Sequence, residues 1–198
     1  MTDLLKDNGK SYYDQVFHNF TYTKEKLSEK EFEKCKFERV NLVECILEKC
    51  KFIDCVFTDC LLSACSPTGS SFVDLKFKNS KVTGVDFTKA KSIRDLEFEN
   101  CVLDYSNFSL LKLSKIKMVN CAAHEADFTE ADLTEGDFSG TDFERSRFFK
   151  TILTRANFKG AVNYAIDVKN NAIKKAKFCL PEAVRLLDGL GIVLVAPE

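Results

Sequence analysis

The sequence predicts a repeat solenoid made of five-residue units, and three observations carry that expectation. Large apolar side chains recur at every fifth position: Phe32, Phe37, Leu42, Leu47, Phe52, Phe57, Leu62, Phe72, Phe77, Val82 and Phe87, and after one shift Phe98, Leu103, Phe108, Leu113, Met118, Phe128, Leu133, Phe138, Phe143, Phe148, Leu153 and Phe158. Eight of the nine cysteines, Cys35, Cys45, Cys50, Cys55, Cys60, Cys65, Cys101 and Cys121, stand two places before a position of that lattice. A period of five suits neither an α-helix nor an ordinary strand, so it must come from a repeat architecture. Fifteen of the eighteen phenylalanines occupy the lattice between Phe32 and Phe178, which marks it as the core.

Composition narrows the class. At 198 residues, 45% hydrophobic and 30% charged, the chain has enough apolar material for a buried core. No apolar run is long enough to cross a bilayer, and the opening MTDLLKDNGK lacks a basic start and an apolar stretch, so the expectation is a cytoplasmic chain with neither membrane span nor signal peptide. An odd cysteine count on a strict period fits reduced thiols better than a disulfide framework. The net charge of -1 argues against a generally basic nucleic-acid binder.

The units Ala126-Asp127-Phe128-Thr129-Glu130, Ala131-Asp132-Leu133-Thr134-Glu135 and Ala156-Asn157-Phe158-Lys159-Gly160 resemble the pentapeptide repeat family, whose consensus sets a small residue, a polar one, Leu or Phe, and two variable residues. The resemblance covers the chain from Leu27 to Phe178. It implies an all-β fold, a right-handed quadrilateral parallel β-helix with one pentapeptide per side and four per coil, here with a short C-terminal α-helix. The centre and the residue two before it then face inward. Cysteine, acting as a small hydrophobe, takes the inner position filled later by Ala126, Ala131, Gly136, Thr141, Ser146 and Ala156. Coils about 4.8 Å apart would stack residues twenty apart, and some six coils would make a rod on the order of 30 Å long. Cys35 then lies beside Cys55, Cys45 beside Cys65 and Cys101 beside Cys121. Disulfides between coils and a four-thiol ring of Cys45, Cys50, Cys55 and Cys60 are the functional alternatives, but parallel thiols kept apart by Leu and Phe favour core filler.

Two places depart from the lattice. At Ser66-Pro67-Thr68-Gly69-Ser70 a proline takes a core position, which favours a bend. Between Phe87 and Phe98 the spacing is eleven rather than ten, so segment 91–97 is read as a one-residue break between a first repeat block, 22–90, and a second, 98–178. Residues 1–21, with Tyr12, Tyr13, Phe17 and Phe20, are expected to cap the amino end, because an open β-helix exposes backbone and core. In 179–198, Pro181 suits the first turn of a helix, Glu182 its dipole and Gly189 its end. Val184, Leu187, Leu190, Ile192 and Leu194 form an apolar face there that either caps its own rod or joins a second copy as a homodimer.

Neither His18 nor His124 belongs to a metal or nucleophile constellation, and no glycine-rich phosphate loop is present. The chain is therefore read as a non-enzyme with no catalytic residue, metal or cofactor, and His124 is expected beside Glu144. Phe32-Glu33-Lys34-Cys35-Lys36-Phe37, the one-residue break, and the ending Leu186-Leu187-Asp188-Gly189-Leu190-Gly191-Ile192-Val193 are similar to the quinolone-resistance (Qnr-type) branch. That resemblance implies mimicry of double-stranded DNA and binding to DNA gyrase or topoisomerase IV, with no direct nucleic-acid or membrane contact. The candidate surface is Asp127, Glu130, Asp132, Glu135, Asp137 and Asp142, inside a stretch from Glu125 to Glu144 that holds eight acids and no base. Stacking sets Asp127 against Arg147, Glu130 against Lys150, and Glu135 between Lys115 and Arg155, which leaves Asp132, Asp137 and Asp142 uncompensated. A continuous negative stripe would favour mimicry. Alternating signs would favour the alternative, a protein-interaction scaffold using the outward residues Val43, Ile46, Ile53, Val56 and Leu61. The chain also lacks a long inserted loop of the kind through which quinolone-protective members engage the enzyme.

Overall fold

The computed structural model describes residues 4, 5 and 7–195; positions 1–3 and 6 of the expected cap and 196–198 of the expected tail lie outside the described residues. The chain winds as a right-handed parallel β-helix of about eight turns, longer than the six expected. Ser11 pairs with Glu31, Glu31 with Lys51, Lys51 with Ser71 and Ser71 with Ser92. Further on, Lys112 pairs with Asp132, Asp132 with Ile152 and Ile152 with Ala172.

The added length at the amino end corrects the expectation of a cap over 1–21. Strands Ser11–Tyr13 and Val16–Thr23 pair in parallel with Glu31–Glu33 and Lys36–Val43. Tyr12, Phe17, Tyr22 and Leu27 simply continue the lattice upstream, with tyrosine in the place of phenylalanine. The end is instead covered by the buried Leu4 and by Lys30, whose ammonium turns inward and donates to the carbonyls of Asp7 and Gly9 at 2.6 Å each. The Tyr12 hydroxyl donates to the Asp7 carboxylate at 2.9 Å. A buried ammonium needs such partners, since its desolvation is otherwise uncompensated.

Inside, each lattice position stacks on its counterpart in the next coil. Phe17, Phe37, Phe57, Phe77 and Phe98 form one column, with ring centroids 5.2, 4.5, 4.8 and 5.1 Å apart and rings within 19° of parallel. Phe87, Phe108, Phe128 and Phe148 form another, at 4.8, 5.3 and 5.0 Å. Burying each such ring contributes roughly 1.5–3 kcal/mol. The eight lattice cysteines are all buried with free thiols, whereas Cys179 is exposed. Burial pushes the thiols of Cys55 and Cys65 up to about 12. Where the inner small residue is polar it bridges coils. Ser70 accepts from the Cys50 amide at 2.9 Å and donates to the Leu47 carbonyl at 2.7 Å. Thr141 does the same between the Cys121 amide and the Met118 carbonyl.

The four-sided outline comes from one left-handed residue per corner. Lys34, Asp54, Asn100, Glu135 and many equivalents adopt φ near +55°, and no β-branched residue is among them. A branched Cβ tolerates that region worst, which explains why the corner position collects Asp, Asn, Glu, Lys, Arg and Gly. Gly140 takes its corner at φ +70°, where an added Cβ would make the Asn120 side chain turn aside.

The predicted break is relocated. Segment 91–97 forms most of a strand, Ser92–Glu99, paired along its length with Ser71–Lys78. Partners here are 21 residues apart, so the extra residue lies between Phe87 and Ser92, where a 3-10 turn spans Phe87–Lys89. Asp86 caps that turn by accepting from the Thr88 amide. Pro67, one coil earlier, is buried in its core position, where the side is a single bridge, Ser66 with Ile46, followed by a turn closed by the Ser70 amide on the Pro67 carbonyl.

The carboxyl end also differs from expectation. Glu182–Leu190 is a 3-10 helix rather than an α-helix, and it closes at Gly191 (φ +68°) rather than at Gly189. Glu182 does more than complement a dipole: it accepts from the Asn163 amide at 2.7 Å and pairs with Arg185 at 2.8 Å. The first contact anchors the start of the helix to the last coil and the second lies within its first turn, in a helix of the tighter form used in short pieces. Near this end the lattice slips, and Tyr164 rather than Asn163 fills the core at 0% exposure. Burial raises the Tyr164 phenol to about 12.

Candidate interaction surface

Asp127, Asp132, Asp137 and Asp142 each precede a core centre, and being five residues apart they fall on the four different sides of one turn. They form a collar around the rod, not a stripe along it. Each carboxylate also braces its own side, because one oxygen accepts the amide two residues on: Thr129 at 2.8 Å, Thr134 at 3.0 Å, Ser139 at 3.1 Å and Glu144 at 3.1 Å. These Asx turns explain the polar residue before the centre in structural terms.

Neighbouring coils then answer the charges. Asp127 bridges to Arg147, with charges 3.9 Å apart; Glu130 lies 3.9 Å from Lys150; Glu135 meets Arg155 at 3.0 Å. No ion pair joins Glu135 to Lys115 among the described residues, which corrects that half of the expected sandwich. Asp132, Asp137 and Asp142 stack on Ile152, Asn157 and Val162 as expected. Asp137 accepts from the Asn157 amide group at 2.9 Å, and Asp142 from Asn163 at 2.9 Å. Burial works to raise the Asp132 carboxyl, but the Thr134 hydroxyl and amide, the Ser114 hydroxyl and the Lys112 charge together hold it below its ordinary value. Along the rod the signs alternate, as in the column Glu97, Lys117, Asp137, where Lys117 meets Glu97 at 2.8 Å.

Glu144 stacks level with His124 in the next coil, but the imidazole does not pair with it among the described residues. The His124 ring lies between Asp104, 3.4 Å from Nδ1, and Asp142, 3.5 Å from Nε2, because Asp104 stacks one coil below and also accepts the His124 amide at 2.9 Å. No cluster of three or more His, Cys, Asp or Glu side chains suited to a metal ion occurs among the described residues. No helix among them is long and apolar enough to cross a membrane.

The apolar candidates separate in the same way. Val43 and Leu61 share one side, while Ile46, Ile53 and Val56 occupy the other three, so these residues form no single patch. At the carboxyl end Val184, Leu190, Ile192 and Leu194 are exposed and Leu187 is half-buried, whereas Leu186, absent from the sequence-level set, is the residue that packs on the core. Leu180, Val193 and Val195, each more than 80% exposed, extend that surface.

Two matching segments, 30–98 and 91–162, correspond to the pentapeptide repeat region family. This chain belongs to the pentapeptide repeat family. Among solved structures, a trypsin-treated variant of QnrB1, described as a plasmid-mediated fluoroquinolone resistance protein, is 21% identical with a TM-score of 0.63, covering 98% of this chain and 96% of that one. A second trypsin-treated QnrB1 variant is 18% identical with a TM-score of 0.65, covering 94% and 100%. Full-length QnrB1 is 17% identical with a TM-score of 0.54, covering 92% and 100%. No curated relative matches. At these identities the likeness is one of fold for this pentapeptide repeat protein.

Proposed function

We propose that this pentapeptide repeat protein is a non-catalytic cytoplasmic binding rod whose partner is DNA gyrase or topoisomerase IV, and that it works as a homodimer joined through its carboxyl ends. The observation that carries the reading is the end-to-end match to the rod of QnrB1, a fluoroquinolone resistance protein, together with three collar carboxylates, Asp132, Asp137 and Asp142, that make no ion pair with a lysine or arginine within 4.0 Å among the described residues, although Lys112 and Lys117 stack on the first two from the preceding coil. The contact is local, since bases interleaved along each side shorten the negative surface to the collar. The apolar carboxyl end supports the dimer: its exposed Val184, Leu190, Ile192 and Leu194 contrast with the sealed amino end, and contiguous apolar surface of that kind marks an interface.

The test is a supercoiling assay with purified gyrase, with and without a fluoroquinolone. Inhibition or drug relief by the chain is the expected result, weakened in the triple variant Asp132→Asn, Asp137→Asn, Asp142→Asn, which keeps the turn acceptors and removes the charge. No effect in either arm sinks the topoisomerase reading. The second reading, a scaffold for a different protein, is favoured by the alternating charge columns, which lack a duplex-length negative stripe.

A further inference from the structure

The β-ladder is interrupted on one side of the rod, between residues 92–96 and the coil that follows. In the next pair of coils the Leu113 amide donates to the Asp132 carbonyl and the Lys115 amide to Thr134, each at 2.8 Å, while the Asp132 amide donates back to Leu111 at 2.9 Å. The equivalent bonds from Ile93 to Lys112, from Asp95 to Ser114 and from Lys112 to Lys91 are not made among the described residues, although pairing resumes at Glu97 with Lys117. The opening follows directly on the extra residue, which lets Ser92–Glu99 stay with the preceding coil. It leaves a cleft of about 220 Å³. Leu96, Leu113 and Ile116 are buried at its floor, with Ile93 half-buried beside them, and Arg94 and Lys112 stand at its rim.

We propose that this open side is a docking slot for an extended, acidic peptide segment of a protein partner, which adds to the ladder as a strand. Alternating unpaired amides and carbonyls along an edge are matched best by another backbone, and an apolar floor takes alternate side chains of a strand. Charge sets the peptide's sign. Residues 87–94 carry two lysines and an arginine without an acid, and 110–117 carry three lysines without an acid. Lys91, Lys112 and Lys115 make no ion pair within 4.0 Å among the described residues, while Asp95 is already engaged by Arg94 at 3.4 Å.

The experiment titrates a fluorescein-labelled synthetic heptapeptide, Glu-Val-Asp-Val-Glu-Val-Asp, into the full chain, reading anisotropy and the exchange of the Ile93, Asp95 and Lys112 amides. The expected result is saturable binding that protects those amides. It should be at least about tenfold weaker with the same peptide N-methylated on alternate residues, which keeps charge and loses backbone pairing, and in the double variant Arg94→Glu, Lys112→Glu. Absence of binding, equal binding of the N-methylated peptide, or unchanged exchange overturns the proposal. Should the double variant fail to fold, the two peptides against the unaltered chain still decide it. The topoisomerase reading uses the collar and stands or falls separately.

Discussion

The two repeat blocks wind the same coil from different side chains. In the first, sides such as Glu31–Glu33, Lys51–Ile53 and Leu61–Ser63 are three-residue strands. The residue before the centre there is Glu31, Lys51 or Leu61, and none of these caps its own turn. In the second block most sides shrink to a single bridge followed by a turn, and the same position holds Asn107, Asp127, Asp132, Asp137 or Asp142, whose side chains accept the amide two residues on. Lys117–Val119, with lysine before the centre, is again a three-residue strand, yet Lys112, also a lysine before its centre, makes only the short bridge. Val102 and Ile152 make the short bridge without such a side chain, so the Asx bond reinforces the turn rather than creating it. The period of five therefore sets the coil, while the residue before the centre tunes how each side bends.

The most severe test of that shared coil is to remove one ring from each block. Phe57→Ala and Phe138→Ala should each cost about 3–5 kcal/mol in urea unfolding, because both leave a cavity in a stacked column. A single transition in both variants would mean that the blocks unfold together, and two transitions would split them at the extra residue. Next in size is the inner small position. Thr141→Val should cost about 1–3 kcal/mol by stranding the Cys121 amide and the Met118 carbonyl, whereas Cys55→Ala should cost less, since a thiol is a weak donor. Equal losses would mean that a hydroxyl at the inner position holds the coils together no better than a thiol.

Acid should weaken the second block through Asp132. Its carboxyl is held below the ordinary 3.8 in the folded state, so the stability it contributes is present above that value and is lost as pH falls through the lower folded one. Melting temperatures followed downward from about pH 5 should show this loss in the parent and less of it in Asp132→Asn. Thiol titration probes the cores of both blocks. One cysteine, Cys179, should react in the native chain and the other eight only after unfolding, as burial predicts. The smallest effect belongs to the surface: Arg155→Ala, which breaks the pair with Glu135, should change stability by only about 0–1 kcal/mol.

Most of the fold was legible because a lattice of large apolar residues at one spacing leaves few architectures. The twenty-residue stacking rule followed, and it placed Asp127 on Arg147 and Asp132 on Ile152 correctly. What escaped depends on interactions that the period does not encode. Tyr12 and Tyr22 stand in for phenylalanine, so the first coil was mistaken for a cap. His124 chose Asp104 and Asp142 over Glu144 because side chains lean between columns. The turn-bracing use of the aspartates was readable from Asp followed two residues later by Thr or Ser, a pattern that looked like surface charge instead.

The left-handed corner every five residues gives the chain the character of a graduated ruler. Excising residues 31–50, one full circuit, would join Lys30 to Lys51 with every face still aligned, and would move the amino end one graduation, about 4.8 Å, nearer to the collar. Spacing between surface features can thus be set in discrete notches by whole-circuit duplication or loss, with no side chain redesigned.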